Sequence, residues 1–292
     1  MNKPLVSIFC VSYNHEQFIA QALDGFVMQK TNFDYEKVIS DDCSTDNTKS
    51  IINEYIKKYP KLFKDVSPRK NLGMQKNWLH TLNACTGKYI ALCEGDDYWT
   101  DANKLQKQVD FMEANDEYVM CFHKTEVSDL LSTDSKYKFV GWCLDEDRDF
   151  TIKEYFNWNF CATTSIVFKS AYLFPLPQDF VEYPVGDYLV GFILFIRSQK
   201  KARYFHQNMA VYHNHSGGHG KGNAIEIYYK SMIDFYKKLQ KNVLQGNYLK
   251  ESTEQLISFN RKLYKENIQQ HKYFQASIYF LKYLIFRFKL KF

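Results

Sequence analysis

The sequence predicts an α/β protein built on a mostly parallel sheet, and three observations carry that expectation. Strand-like runs recur at Leu5–Val11, Tyr35–Ser40 and Tyr89–Cys93, the first and last apolar enough to be buried on both faces. Segments with apolar residues at helical spacing alternate with them. Each run also ends in polar or acidic residues, Ser12-Tyr13-Asn14, Asp41-Asp42 and Glu94-Gly95-Asp96-Asp97, at the strand ends where open sheets bind their ligands.

The elements follow in order. After the first strand, Phe18, Ile19, Ala22, Leu23, Phe26 and Val27 define a helix over Glu16–Gln29. The cluster Ser44-Thr45-Asp46 caps a second helix with the face Ile51, Ile52, Tyr55, Ile56 and Tyr59, stopped by Pro60. A loop at Ser67–Gly73 leads to a helix through Trp78, Leu79 and Leu82, and Leu105, Val109 and Met112 give another. Tyr118–Phe122 and Ser165–Phe168 read as strands, Lys124–Arg148 as polar loop, Asp187–Ser198 as helix and Met209–His213 as a short strand. After Gly222 the pattern is almost wholly helical, so a domain of residues 1–222 and a helical, basic extension of 223–292 are expected.

Composition removes several classes of function. The 292 residues are 45% hydrophobic and 24% charged, with only 12 Gly and 6 Pro, which excludes collagen-like, low-complexity and wholly disordered chains. The 22 Tyr and 24 Phe supply core rings and stacking surfaces. Net charge is +5, but residues 221–292 carry 14 basic and 5 acidic groups, leaving the body net acidic. A basic tail on an acidic body argues against nucleic acid as a partner. The seven cysteines include no C-x-x-C pair, and Cys10, Cys93 and Cys121 lie in strand-like runs, as buried thiols of a reducing cytoplasm do. The apolar start at Leu5–Val11 is followed by Ser12-Tyr13-Asn14-His15-Glu16 without a small-residue cleavage site. No window approaches the roughly 20 apolar residues of a membrane span. A cytoplasmic location is expected.

The acidic strand ends have a natural chemistry. Carboxylates in a D-x-D-like triplet place oxygens on one side of a turn, as hard ligands for Mg²⁺ or Mn²⁺. Such an ion neutralises a departing diphosphate. A separate carboxylate can accept the N3–H of a uracil or thymine, on which a tyrosine can stack. The plainer role for Asp41-Asp42 is to cap the next helix, and for Glu94–Asp97 to form a turn.

The runs Val6-Ser7-Ile8, Ser12-Tyr13-Asn14, Ser40-Asp41-Asp42-Cys43-Ser44-Thr45-Asp46, Asn71-Leu72-Gly73, Lys76-Asn77, Gly87-Lys88-Tyr89-Ile90 and Glu94-Gly95-Asp96-Asp97-Tyr98-Trp99 occur in order. Together they resemble the GT-A-fold family 2 glycosyltransferases of bacteria, specifically over about residues 4–115 and more weakly to about 220. The resemblance implies a GT-A fold and a nucleotide-sugar donor, UDP-linked by preference. Val11, Tyr13 and Asn14 match the first nucleotide-contacting strand end. Asp42, with Asp41 beside it, matches the acid that reads the pyrimidine. Asn71 and Asn77 match the stretch closing over the nucleotide sugar. Glu94, Gly95 and Asp96 occupy the D-x-D, and Asp96 matches the metal-binding acid; here the first acid is the longer Glu. The catalytic base is matched by Asp187 in Gly186-Asp187-Tyr188, where the family has an acid pair; Asp187 can also be a helix cap, and Glu182 is the reserve. Val211-Tyr212-His213-Asn214-His215-Ser216-Gly217-Gly218 resembles a family Y-R-x-H-x-G-G segment, which makes His215 a metal or phosphate ligand with His219 and Lys221 as lesser candidates. Thr163-Thr164-Ser165 precedes a strand and can contact phosphate or acceptor.

The tail carries its own pattern. Phe274, Ile278, Leu281, Ile285, Phe288 and Phe292 form one helical stripe, with Lys272, Lys282, Arg287, Lys289 and Lys291 between them and no acid after Glu266. Such a helix either packs on the body or a second subunit, or lies on anionic lipid at the inner face of the membrane. The sequence therefore reads as an inverting, Mn²⁺- or Mg²⁺-dependent glycosyltransferase whose acceptor is a saccharide or lipid-linked saccharide of surface polysaccharide. Its rivals are a non-catalytic nucleotide-sugar-binding protein and a nucleotidyltransferase; the latter would show a Gly-rich, basic phosphate loop that Ser12–Glu16 does not provide.

Overall fold

The computed structural model describes residues 3–130, 139–140, 144–157, 161–217, 225–244 and 246–290, with only the backbone of 129, 139 and 140. In chain order the elements are β1 (Val6–Ser12), α1 (Ile19–Val27), β2 (Tyr35–Asp41), α2 (Thr48–Lys58), β3 (Phe63–Asp65), α3 (Met74–Ala84), β4 (Tyr89–Leu92) and β5 (Tyr98–Trp99). There follow α4 (Lys104–Ala114), β6 (Tyr118–Asp129), β7 (Phe139–Val140), β8 (Arg148–Phe150), α5 (Ile152–Asn157), β9 (Val167–Lys169), α6 (Gly186–Ser198) and β10 (Lys201–Asn214). The chain closes with α7 (Ile225–Asn242), α8 (Leu249–Gln269) and α9 (Tyr273–Lys289).

The sheet runs β3-β2-β1-β4-β9-β6-β10-β5, with β7 on β6 and β8 on β10. Its first four strands are parallel, as the strand–helix rhythm predicts. β9 is antiparallel to both neighbours, and β6 and β10 are parallel to each other. The mostly parallel sheet is therefore interrupted by one antiparallel strand, which follows α5 and a 3-10 turn at Thr163–Ser165.

β1 shows why a continuous apolar run was needed. Its side chains alternate between faces: Ile8 and Cys10 join α1, α2 and α4 on one side, and Phe9 joins α3, α5, α6, α7 and α8 on the other. α6 is buried on nearly all sides from Tyr188 to Phe195, the mark of a helix enclosed by other elements. At Gly191 an added Cβ would stand 2.0 Å from the Tyr155 hydroxyl oxygen, so this glycine lets the ring lie against the helix. Tyr188 is held from two directions, by a hydroxyl–hydroxyl hydrogen bond of 2.8 Å with Tyr236 on α7 and by Phe235, whose ring lies parallel to it at 5.1 Å.

The structure departs from the sequence reading in several places. α1 starts at Ile19 rather than Glu16, because Glu16 is tied to the turn after β2: its Oε2 accepts from the Asn47 amide at 3.0 Å and its N–H reaches Asp46 at 3.1 Å. β6 and β10 are longer than expected because they pair with each other along their lengths. The polar stretch after Lys124 is in part strand. On α9 the buried side is Ala276, with Tyr279, Tyr283 and Phe286 partly covered, whereas Phe274, Leu281 and Phe288 face solvent. Phe292, Lys291, Cys143, Gly218, His219 and Lys221 lie outside the described residues. Among the described residues no helix is long and apolar enough to cross a membrane.

One core position is a stability defect that can be tested. Lys37 on β2 is 1% exposed and its Nζ has no hydrogen-bond partner, only the faces of Tyr35 at 4.2 Å and Phe63 at 5.5 Å. Burial pulls the ammonium down to about 8, below its value in an unfolded chain. Between these two values the unfolded chain binds more protons, so stability rises with pH over that window and the burden is full at neutral pH. Lys37→Met is expected to raise unfolding free energy by roughly 1–2 kcal/mol at pH 7 and to flatten the rise between pH 8 and 10. Urea denaturation at both pH values checks it.

Candidate active site

The candidate residues gather beyond the carboxyl ends of β1, β2 and β4. Ser12 and Asp41 are register partners at the ends of β1 and β2. Asp41 is buried; its Oδ2 accepts from the Ser44 amide at 3.1 Å and its Oδ1 from the Ser12 and Ser44 hydroxyls. Asn14 takes the left-handed conformation, φ +58°, a region asparagine tolerates. There it receives the Thr45 N–H on Oδ1 at 2.8 Å and donates its own N–H to Ser44 at 2.9 Å. The β1 and β2 loops are thus laced together before any ligand arrives, and Tyr13 is left 46% exposed on top of them.

Asp42 is 3% exposed. Its two oxygens accept the N–H groups of Leu72 at 2.7 Å and Gly73 at 2.9 Å, while Asn71 Nδ2 donates to its carbonyl at 2.8 Å. The carboxylate thereby fixes the 71–73 turn, where Gly73 has φ +80°. Asn77 lies deeper: it is 2% exposed, with its Oδ1 accepting the Ser40 hydroxyl at 2.5 Å, and it joins α3 to β2.

The turn after β4 carries the acids. Gly95 donates to the Val11 carbonyl at 2.8 Å. A Cβ at Gly95 would come within 2.9 Å of both Ser12 Cβ and Ile19 Cδ1 and 3.2 Å of His15 Nδ1, so glycine is what lets the turn close on β1. Asp97 turns inward and accepts the His213 N–H at 3.0 Å; burial, aided by the charge of Asp96, pushes its carboxyl well above the ordinary range. Burial likewise raises Glu94 to about 8, with the charges of Asp96 and Asp187 adding to the effect and a Trp78 hydrogen bond opposing it. Burial also works against ionised Asp96, but the His215 hydrogen bond and the nearby His15 outweigh it, and its carboxyl stays below its usual value.

β10 brings the histidines to this turn because β5, directly after the acids, pairs with Ala210 and Val211. His213 contacts the Asp96 carbonyl at 2.6 Å through Nδ1, and His215 Nε2 stands 3.1 Å from Asp96 Oδ2. Phe18, immediately before α1, packs on both rings. His15 Nε2 is 3.7 Å from the same Asp96 oxygen, and its Nδ1 is buried without a partner. Sequence reading did not single out His15; it adjoins the Tyr13-Asn14 motif, but only the β1–β4 pairing brings it over Asp96.

Asp187 opens α6. Its Oδ2 accepts the Thr163 hydroxyl at 3.0 Å and its Oδ1 the Tyr188 N–H at 2.8 Å, and it lies close enough to Glu94 for its charge to act there. A Cβ at Gly186, where the sequence lacks an acid, would meet Gln75 Oε1 at 3.2 Å. Glu182 stands apart at the surface in an ion pair with Lys238 of 3.3 Å. Thr164 and Ser165 are buried, and the Thr164 carbonyl accepts the Trp99 indole N–H at 2.9 Å.

Among the described residues no three His, Cys, Asp or Glu side chains form a ready-made metal cage. Asp96 Oδ2 and His215 Nε2, 3.1 Å apart, nevertheless have the separation of adjacent ligands on one octahedral ion with bonds of about 2.1 Å. The pair fits a divalent ion completed by substrate oxygens and water.

A sheet whose carboxyl edge gathers acids, a rim of loops laced through backbone amides and an acid at the start of a buried helix is the architecture of a GT-A glycosyltransferase. The family model for glycosyl transferase family 2 matches residues 7–174, more than half of the chain, and the chain belongs to that family. An uncharacterized protein of Mycobacterium tuberculosis is 36% identical over 216 residues, covering 73% of this chain and 60% of its own length. The chain thus spans less than two thirds of that relative. Bacillus subtilis TuaG, named for teichuronic acid biosynthesis, is 34% identical over 110 residues, 38% of this chain and 42% of TuaG. Among solved structures, S. aureus TarS in complex with UDP-GlcNAc superposes with a TM-score of 0.63 at 17% identity, over 87% of this chain and 71% of that one. A mannosyltransferase of Pyrobaculum calidifontis with GDP-Man and Mn²⁺ gives 0.56 at 15% identity, over 100% and 84%. These two likenesses concern the fold.

Proposed function

We propose that the protein is an inverting glycosyltransferase that moves a sugar from a nucleoside diphosphate, UDP by preference, to a hydroxyl of a saccharide or lipid-linked saccharide in surface-polysaccharide synthesis. The observation that carries this reading is the geometry at the carboxyl edge, where the turn after β4 holds Asp96 Oδ2 3.1 Å from His215 while Thr163 holds Asp187 at the start of α6, near enough for its charge to act on Glu94 of that turn. Asp187, oriented by Thr163, takes the proton of the acceptor hydroxyl as it attacks the anomeric carbon from the face opposite the leaving group. Asp96 and His215 are the residues that would hold Mn²⁺ or Mg²⁺, with Glu94 beside them. When bound, such an ion supplies charge neutralisation at the departing diphosphate. Tyr13, Val11 and Asn14 form the side of the nucleotide pocket next to Asp41 and Asp42, and Asn71 borders it. Asn77 supports the pocket from below through Ser40. TarS bound to UDP-GlcNAc and the teichuronic acid name of TuaG support the donor and acceptor classes.

Incubation with a panel of nucleotide sugars and Mn²⁺, followed by NMR assignment of the product anomer, tests the proposal. Release of the nucleoside diphosphate with inverted configuration is the expected result. Binding of donors without turnover of any would favour the non-catalytic reading, to which Gly186 and Glu94 point. Asp42→Ala should weaken UDP binding by roughly 1.5–3 kcal/mol, the scale of a charge-assisted hydrogen bond. It should also loosen the 71–73 turn, which loses the acceptor of two N–H groups. Calorimetry showing unchanged UDP affinity would remove Asp42 from the pocket.

A further inference from the structure

α9 is a two-faced helix with only one face in contact with the protein. Its inner side, Ala276, Tyr279, Tyr283 and Phe286, is turned to α8 and the body. Its outer side is apolar and open: Phe274 is 76% exposed, Leu281 59%, Ile285 46% and Phe288 65%. At 3.6 residues per turn the exposed apolar arc, from Phe280, which also leans on Tyr264 of α8, through Leu284 to Ile278, spans roughly 160°. Lys282 and Lys289 fall along one edge of this arc and Arg287 along the other. Arg287 bonds to the Tyr283 hydroxyl at 2.9 Å, beside the buried side. No acid occurs in α9, and the last one before it is Glu266.

We infer that this face docks on an anionic phospholipid surface. An apolar arc edged on both sides by cations is the form of a helix that lies in the plane of a membrane interface, the basic side chains reaching outward to headgroups from apolar stems. Seventeen residues give about 25 Å of helix, long enough to rest on the surface. Charge decides between the possible occupants. A symmetric pairing of two α9 helices would set Lys282 and Lys289 against their own copies with no acid on either helix to meet them, whereas anionic headgroups meet all three cations.

The test uses the full chain and vesicles of phosphatidylglycerol, with phosphatidylcholine vesicles as the comparison, at low and high salt. Co-sedimentation with the anionic vesicles alone, weakening as salt screens the charges, is the expected result. The exposed-face variant Phe274→Ser, Leu281→Ser, Phe288→Ser should lose binding while keeping its melting temperature, because these side chains touch little of the protein. Lys282→Gln with Lys289→Gln should lower affinity about 30-fold, the factor for two basic groups near an anionic surface at about 1 kcal/mol each. Failure of the full chain to bind the anionic vesicles at low salt would overturn the inference. So would a dimer in analytical ultracentrifugation that the exposed-face variant converts to monomer. Neither readout requires a donor or acceptor, so either outcome is independent of the proposed activity.

Discussion

Asp187→Asn is expected to slow sugar transfer by about 10²–10⁴-fold, the usual contribution of a general base, while donor affinity stays near that of the parent chain. The amide keeps the shape of the carboxylate and can still accept from Thr163, which bonds Asp187 at 3.0 Å. What disappears is the ability to take a proton, and that matters only as the acceptor attacks. The signature is a fall in kcat with unchanged donor binding by calorimetry. A helix-capping role predicts a different result, a lower melting temperature with near-normal turnover. Near-normal transfer would return the role to Glu182, which would first have to leave Lys238.

Asp96→Asn should be at least as damaging, with turnover falling by two orders of magnitude or more, the scale of a lost electrostatic contact at a developing charge. Its Oδ2 is the one atom that both His215 and His15 approach, at 3.1 and 3.7 Å. Removing the charge withdraws the carboxylate of the Glu94–Asp97 turn that its histidine neighbours hold below the usual range, whereas burial pushes Glu94 and Asp97 above it. Mn²⁺ titration followed by calorimetry should show weakened ion binding in the variant, and EDTA should abolish activity of the parent until Mn²⁺ is restored. Full turnover in EDTA would remove the metal from the proposal and leave the two histidines as the groups facing the diphosphate.

The sequence disclosed the parts of the fold that rest on uniform environments. β1 and β4 are enclosed on both faces, so their apolar runs were readable, and the helical stripes of α1, α2 and α4 matched the faces they bury. β5 and β8, of 2 and 3 residues, leave no periodic signal, and they form because β10 lies alongside. β10 itself alternates buried Ala202 and Tyr204 with solvent-facing Lys201, which weakens its apolar signal at the start. At the candidate site, motif spacing singled out Asp41, Asp42, Glu94, Asp96, His215 and Asp187, but not the partners the fold gives them. That Asp42 holds a turn, that Asn77 faces Ser40 rather than the open edge and that His15 hangs over Asp96 all depend on which strands are neighbours. α9 shows a related limit. Both of its faces are apolar, so the stripe at Phe274, Leu281 and Phe288 was visible, while the inner face, where Ala276 is buried with Tyr279 and Phe286 beside it, depends on how α9 packs on its neighbours.

The clamp on Tyr188 bears on how the two sides of the proposed site are held. The family-matched segment ends at residue 174, and α6, with the proposed base at its start, follows it in the chain. That helix is fastened through the residue next to Asp187, by Tyr236 and Phe235 of α7. On the proposed assignment, changes in α7 would be felt at the acceptor side of the site through Tyr188, whereas the loops meant for the nucleotide are laced by bonds of their own at Asn14.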